Sequence, residues 1–396
     1  MYGKKNPYNI NDYVDKRPVA KYKGFKFDYK SIIACTLGRP SDAFGELIKE
    51  FDGPRRGPRL PSYPYLFMTR VINLNAEPGQ LKVGSSIVAE LDVHKKDWHF
   101  DENEYPTMPL CAITETALQP CGWLSVFTSA QELRDKDLYY RNIEGVGKLY
   151  KEILKKDTLL RTESTLTNIS KIGGVILYTF KLKVYEEDDV VMELETKFGF
   201  FPKEALAAQT GIPPTNDERE KLKESSEYFA NLKEWPDKFF SGSLKLPKSK
   251  LLMIDRLTGF WENGGKYQLG RIRAEKTVDS KEWFFKSHFF QEPVMPGTLG
   301  VEAILQLLKA YIIEENNELL NKFKNPRFES VATSALLEYK YRGQIIPTNK
   351  LVTMELDIKE KIVEDNGYLA TAEGYLWVDG LRIYQIKNIG VRVIES

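Results

Sequence analysis

The chain has 396 residues, 42% of them hydrophobic, and its 57 Lys plus Arg nearly balance 56 Asp plus Glu for a net charge of +1. That length suits two or three domains or one large duplicated one, with enough apolar residues for sizeable cores. The balanced charge gives no reason to expect nucleic acid or an anionic membrane as the main partner.

Residues 1–30 are polar and rich in Tyr and Lys, and read as an N-terminal arm. The opening MYGKKNPYNINDYVDK lacks the apolar core of a secretory signal. Lys82–Val93 and Val175–Val184 mix β-branched and aromatic residues with polar ones and are predicted antiparallel strands. The acidic run EEDDVV at 186–191 is predicted to be a hairpin turn. From 202 to 239 a Pro pair and dense charge predict an exposed connector with a short helix. Strand-like sequence then resumes and runs to VRVIES, interrupted by a helix after Pro296. That helix, GTLGVEAILQLLKAYII, is apolar all round and is therefore expected to be buried. No apolar run approaches the ~20 residues of a membrane-spanning helix. The three cysteines, Cys35, Cys111 and Cys121, are odd in number and not in metal-ligand spacing. A soluble cytoplasmic protein is expected, with no metal and no cofactor.

Three blocks recur in the same order. RLPSYPYLFMTRV at 59–71 answers KLPKSKLLMIDRL at 245–257, and AELDVHKKDWHF at 89–100 answers AEKTVDSKEWFF at 274–285. MPLCAITETALQ at 108–119 answers MPGTLGVEAILQ at 295–306. The offsets are 186, 185 and 187, too consistent for coincidence. Two copies of one unit are expected, each with strands, one long helix and more strands. The expected boundaries are an arm at 1–30, a first unit at 31–205, a connector at 206–240 and a second unit at 241–396. A sheet wrapped round one helix leaves an open edge and would normally dimerise; the tandem copy supplies that partner within the chain.

The chemistry gathers at 283–306. A lone His is usually a surface or core residue, and a Glu early in a helix often only complements the helix dipole. Here, however, Met295-Pro296-Gly297 puts free N–H groups at a helix start, suited to a carbonyl oxygen gaining charge. Glu302 lies among apolar neighbours, where a carboxyl favours its neutral, proton-donating form, and Gln306 is one turn on. His288 supplies a base near neutral pH. A base, an acid and a carbonyl-polarising helix end suit removal of a proton beside a thioester carbonyl with loss of a β-hydroxyl.

WFFKSHFFQEPVMPGTLGVEAILQLL resembles the signature of the bacterial β-hydroxyacyl-carrier-protein dehydratases of the dehydratase/isomerase type. With KFGFFPKEAL, YKYRGQIIP and LWVDGLRIY, the chain from about 30 to 396 looks like a dehydratase region of polyunsaturated fatty acid synthases, related to polyketide dehydratases. Glu292 stands where the family usually has Asp, and Glu302 where the isomerising bacterial enzymes have Asp. The resemblance implies an α+β fold, a double hotdog. It implies dehydration of 3-hydroxyacyl thioesters carried on the phosphopantetheine of an acyl carrier protein, with or without a double-bond isomerisation. Other synthase domains or subunits are then expected partners, and the reading leaves room for a homodimer.

In the family, the site lies between two hotdogs, with His from one and acid from the other. Counted from Trp98 and Trp283, His288 aligns with Asn103, and Leu110 replaces Gly297. The expected working pair is therefore His288 with Glu115, supported by Gln119, with Glu302 as the alternative acid. The Gly297 amide would bind the thioester oxygen, and the Val294 carbonyl would fix the imidazole. Gln306 would support Glu302, and Asn103 with Glu302 would form a silent site. His94 and His99 do not align with His288 and are expected to be exposed or strand-facing. The basic stretch GPRRGPR at 53–59, with Arg55 and Arg56, could meet an acidic carrier, though a solvated loop is the plainer reading. The rival functions are a hotdog thioesterase and a non-catalytic acyl-binding scaffold. Nucleotide, hydrolase-elbow and zinc motifs are absent.

Overall fold

The computed structural model describes residues 15, 17–53, 55–134, 136–315, 320, 323–365 and 367–395. Strands of the first half are β1 (Arg70–Asn75), β2 (Ser86–Val93), β3 (Tyr139–Leu149), β4 (Thr158–Ile172), β5 (Val175–Glu186) and β6 (Asp189–Phe201). Those that follow are β7 (Ala230–Asn231), β8 (Arg256–Trp261), β9 (Arg271–Thr277), β10 (Pro326–Phe328), β11 (Leu337–Tyr341), β12 (Leu351–Glu364), β13 (Gly367–Val378) and β14 (Leu381–Glu395). Among the described residues they form one 14-stranded sheet in the order β1-β2-β4-β5-β6-β3-β11-β14-β13-β12-β9-β8-β7, with β10 beside β14. The halves join where β3 pairs antiparallel with β11, Leu337 opposite Gly147 and Lys340 opposite Glu144.

Alternation explains how each half wraps. Along β5 every second residue, from Ile176 through Tyr178, Phe180, Leu182 and Val184, is buried, so one face covers the core. The cores are threaded by α2 (Leu110–Thr128) and α4 (Gly297–Glu315). Each follows a short helix, α1 (Trp98–Asn103) and α3 (Trp283–Ser287). The apolar-all-round pattern of α4 is matched by burial from Thr298 to Ile312. This is the double hotdog that the sequence led us to expect. The repeat is visible in three dimensions: Trp98 Nε1 donates to the Pro64 carbonyl (2.8 Å) and Trp283 Nε1 to that of Lys250 (2.9 Å). The two rings meet edge to face, centroids 5.4 Å apart.

Pro120 sits inside α2 and has no N–H for the Thr116 carbonyl one turn back. The Thr162 hydroxyl of β4 donates to that carbonyl instead (3.0 Å), so the helix continues without a buried orphan.

The predicted turn at 186–191 is the β5–β6 hairpin, with the strands ending at Glu186 and resuming at Asp189. The strand predicted from Lys82 starts later, at Ser86. Two expectations need correction. Residues 1–14 and 16 of the arm lie outside the described residues, but the rest of it is integral to the first half. Phe27 is fully buried, its ring 4.9 Å from Trp123, and Ala20 N donates to Val71 O (2.8 Å). The connector holds more than one helix: Lys203–Ala207, Asn216–Lys223 and Asp237–Phe240, besides edge strand β7. Its carbonyls are acceptors for buried arginines of the sheet. Arg273 Nη1 reaches Leu222 O and Glu224 O (both 2.9 Å), and Arg382 Nη2 reaches Pro213 O (2.6 Å). Arginine brought this far from water needs such partners, which fix the segment against the strands.

Candidate active site

The loop from α3 to α4 is closed by its own main chain. Val294 N donates to His288 O (2.8 Å), and His288 Nδ1 lies 2.9 Å from Val294 O. A carbonyl can only accept, so Nδ1 carries the proton and Nε2 keeps the free lone pair. Burial pushes the imidazole down to about 3, with the Arg141 charge adding to this against the raising effect of the Val294 carbonyl. The ring is thus held neutral, in the tautomer a base requires.

Glu115 sits one helical turn before Gln119 on α2, and both are buried. Gln119 is clamped by backbone: its Nε2 donates to Tyr65 O (2.9 Å) and its Oε1 accepts from Phe67 N (2.7 Å). So oriented, Nε2 also reaches Glu115 Oε2 at 3.0 Å. The other carboxyl oxygen accepts from Thr298 Oγ1 of α4 (2.6 Å), whose hydroxyl oxygen lies 2.8 Å from the Tyr65 hydroxyl. Burial outweighs these bonds and raises Glu115 to about 7. A carboxyl still protonated near neutrality can act as an acid.

His288, Val294, Gly297 and Thr298 line one cavity together with Glu115 and Gln119. Gly297 opens α4, so its N–H is one of the first-turn donors the helix does not use. A Cβ there would stand 2.7 Å from the Tyr341 ring, so only glycine permits this approach.

Glu302 does not line this cavity. It accepts from Cys111 N (3.4 Å) and from Gln306 Nε2 (3.3 Å). Gln306 is clamped as Gln119 is, to Leu251 O and Met253 N (both 2.8 Å). Because Cys111 matches Thr298 in the repeat, each acid touches the first turn of the opposite helix. Asn103 Nδ2 donates to Thr107 O (2.8 Å), as His288 Nδ1 does to Val294 O. Asn103 keeps the anchor of the imidazole and lacks its base.

Three expectations fare differently. His99 is neither exposed nor strand-facing: it is 2% exposed on α1, among Phe67, Trp98 and Phe100. Its aromatic setting keeps it neutral, with burial pushing it down to about 3. His94 is partly exposed, beyond the end of β2. Arg55 and Arg56 do not form a free solvated loop. Arg55 Nε donates to Asp137 (3.0 Å), and Arg56 pairs with Glu292 (3.2 Å), which also accepts from Arg141. Arg56 thus braces the loop carrying His288 through Glu292, the residue that departs from the family pattern. Thr298, Tyr65 and Tyr341 went unrecognised in the sequence; Thr298, next to Gly297, carried the nearest thing to a signal. Among the described residues, no group of three or more His, Cys, Asp or Glu is placed to hold a metal, and no helix is long and apolar enough to cross a membrane.

Thr298 stabilises the ionised carboxylate of Glu115, so Thr298→Val should raise the acid further. If Glu115 is the acid, the alkaline limb of a kcat/KM pH profile is expected near pH 7 in the wild type and should be displaced upward in this variant. An unmoved limb would show that Glu115 does not set it.

A family model described as a FabA-like domain matches residues 60–195 and again 246–387. The chain is similar to one of the subunits of the polyunsaturated fatty acid synthase of Thraustochytrium sp., 26% identical over 392 residues, covering 91% of this chain and 25% of that protein. It spans about a quarter of the length of that curated relative. Among solved structures it is similar to the "Dehydratase domain from CurJ module of Curacin polyketide synthase" (10% identity, TM-score 0.47, 82% of this chain and 96% of that one). It is also similar to a putative oleoyl thioesterase from Lactobacillus plantarum (6% identity, TM-score 0.44, 79% and 98%).

Proposed function

The chain belongs to the FabA-like domain family, and from that footing we propose that it dehydrates 3-hydroxyacyl thioesters to trans-2-enoyl thioesters in fatty acid, polyunsaturated fatty acid or polyketide synthesis. The observation that carries this reading is the single cavity shared by a neutral imidazole, a carboxyl protonated up to about pH 7 and a glycine-opened helix. His288 Nε2 takes the α-proton. The charge passing to the thioester oxygen is met by the Gly297 N–H at the start of α4. Glu115 gives its proton to the β-hydroxyl, the C–O bond breaks and water leaves as the double bond forms. His288 then holds one proton more and Glu115 one fewer, and exchange with solvent resets both. Asn103 and Glu302 form a silent counterpart, so one site works per chain.

The substrate is carried on the phosphopantetheine arm of an acyl carrier protein, and other synthase domains or subunits are partners, in a cytoplasmic setting. No bound cofactor is needed, because the proton transfers are between this chain's own residues and the substrate. A homodimer is compatible with this scheme. Incubation with a panel of 3-hydroxyacyl thioesters, followed by mass spectrometry, tests the reaction. Loss of water with the thioester intact is expected, and double-bond position then reports any isomerisation. Release of free thiol and hydroxy acid would establish the thioesterase instead, and no conversion the acyl-binding scaffold.

A further inference from the structure

Of the 19 residues of α2, all are buried except Gly122, which is partly exposed. It lines the cavity that holds His288 and Glu115. Glu115, Leu118, Gln119 and Gly122 follow one another along one face of the helix, so the cavity reaches ~10 Å beyond the acid at 1.5 Å per residue. Here its wall is apolar. The Tyr140 ring stacks on Phe198 (centroids 5.0 Å apart) and is pinned by a 2.9 Å bond between its hydroxyl and Ser125. Elsewhere the lining is polar, with Arg59, Arg141 and Gln344. An alkyl chain suits the first section and an amide-bearing arm the second.

The same chain contains the comparison. In the repeat Gly122 corresponds to Lys309, each seven residues after its glutamate. Lys309 is 2% exposed, its ammonium 5.8 Å from the Phe328 ring centroid and within reach of the charges of Glu302 and Glu152. The place that stands open beside the working acid is filled by a long side chain beside the silent one. We propose that Gly122 determines acyl-chain specificity: the tail of the substrate passes over it between α2 and the Tyr140–Phe198 wall, and Lys309 closes the equivalent path in the second half. This rests on the dehydratase reading above.

A Cβ at Gly122 would lie 3.5 Å from Tyr140 Cε1 and 3.9 Å from Leu60 Cδ2, ordinary contacts. A leucine must extend past that point into the path. The test measures kcat/KM for a short (3-hydroxybutyryl) and a long (3-hydroxydecanoyl) thioester with the wild type, Gly122→Ala, Gly122→Leu and Lys309→Met. For Gly122→Leu the long-to-short ratio should fall at least about tenfold, the scale of discrimination by a methylene or two in an apolar pocket. Gly122→Ala should lie between it and the wild type, and Lys309→Met should keep the wild-type ratio. An unchanged ratio in Gly122→Leu overturns the assignment. So does an equal loss on both substrates, because the residue would then serve the arm or the fold rather than the tail. Failure of the dehydratase reading is separate and would appear as a wild type that converts neither thioester.

Discussion

Glu115→Gln is expected to lower dehydration by about 10²–10⁴-fold, the usual contribution of a positioned general acid, while Glu302→Gln changes it little. The glutamine is nearly isosteric, and Gln119 and Thr298 remain placed to bond it, so the loss reports the missing proton. The reverse outcome, loss only on changing Glu302, would sink the pairing of His288 with the acid of the other half. The same variant should be more stable than the wild type at neutral pH and above. Burial raises Glu115 from 4.5 to about 7, so between these values the folded chain holds a proton that the unfolded chain has released. Stability contributed by that proton is present below 4.5 and lost as pH rises through about 7. A shift of roughly 2.5 units corresponds to ~3 kcal/mol. Thermal melts should therefore show the Gln variant and the wild type converging below pH 4.5 and diverging above pH 7, with the variant higher. Equal melting temperatures at both ends would mean that the carboxyl is not held protonated by its surroundings.

His288→Asn should abolish turnover, and more informatively than His288→Ala. The first half already contains this substitution: Asn103 holds a main-chain carbonyl from the place that His288 holds in the second. An asparagine at 288 should keep the Val294 anchor and the loop while removing the imidazole lone pair proposed to take the α-proton. A drop of at least about 10²-fold is expected, with an unchanged far-UV spectrum and melting temperature. A near-normal rate in either variant would end the dehydratase reading. With the base intact, the wild type should lose activity at low pH only as the imidazole protonates, near pH 3, because burial disfavours its charged form.

Much of this was legible in the chain. The three repeated blocks implied two copies of one unit, and the all-round apolar pattern of GTLGVEAILQLLKAYII implied a buried helix, because such a surface has nowhere to go but a core. The Asn103 and Leu110 replacements marked the first half as lacking base and helix-opening glycine. Other features left no such trace. The hydroxyl of Thr298 matters only because the first turn of α4 lies against Glu115, 183 positions away in sequence. The arginines at 55 and 56 looked like a surface patch, yet Asp137 and Glu292 claim them. His99 reads as an exposed or strand-facing residue until Phe67 and Phe100 close round it on α1.

Residue identity and spacing along one chain were enough to point to the duplication, to two candidate acids and to one candidate base. Which acid shares a cavity with His288 depends instead on how two helices from different halves meet, and that contact exists only in the folded molecule. The same holds for Gly122, which stands open while Lys309 is buried, a difference set by the walls that pack over each helix and not by the helix itself.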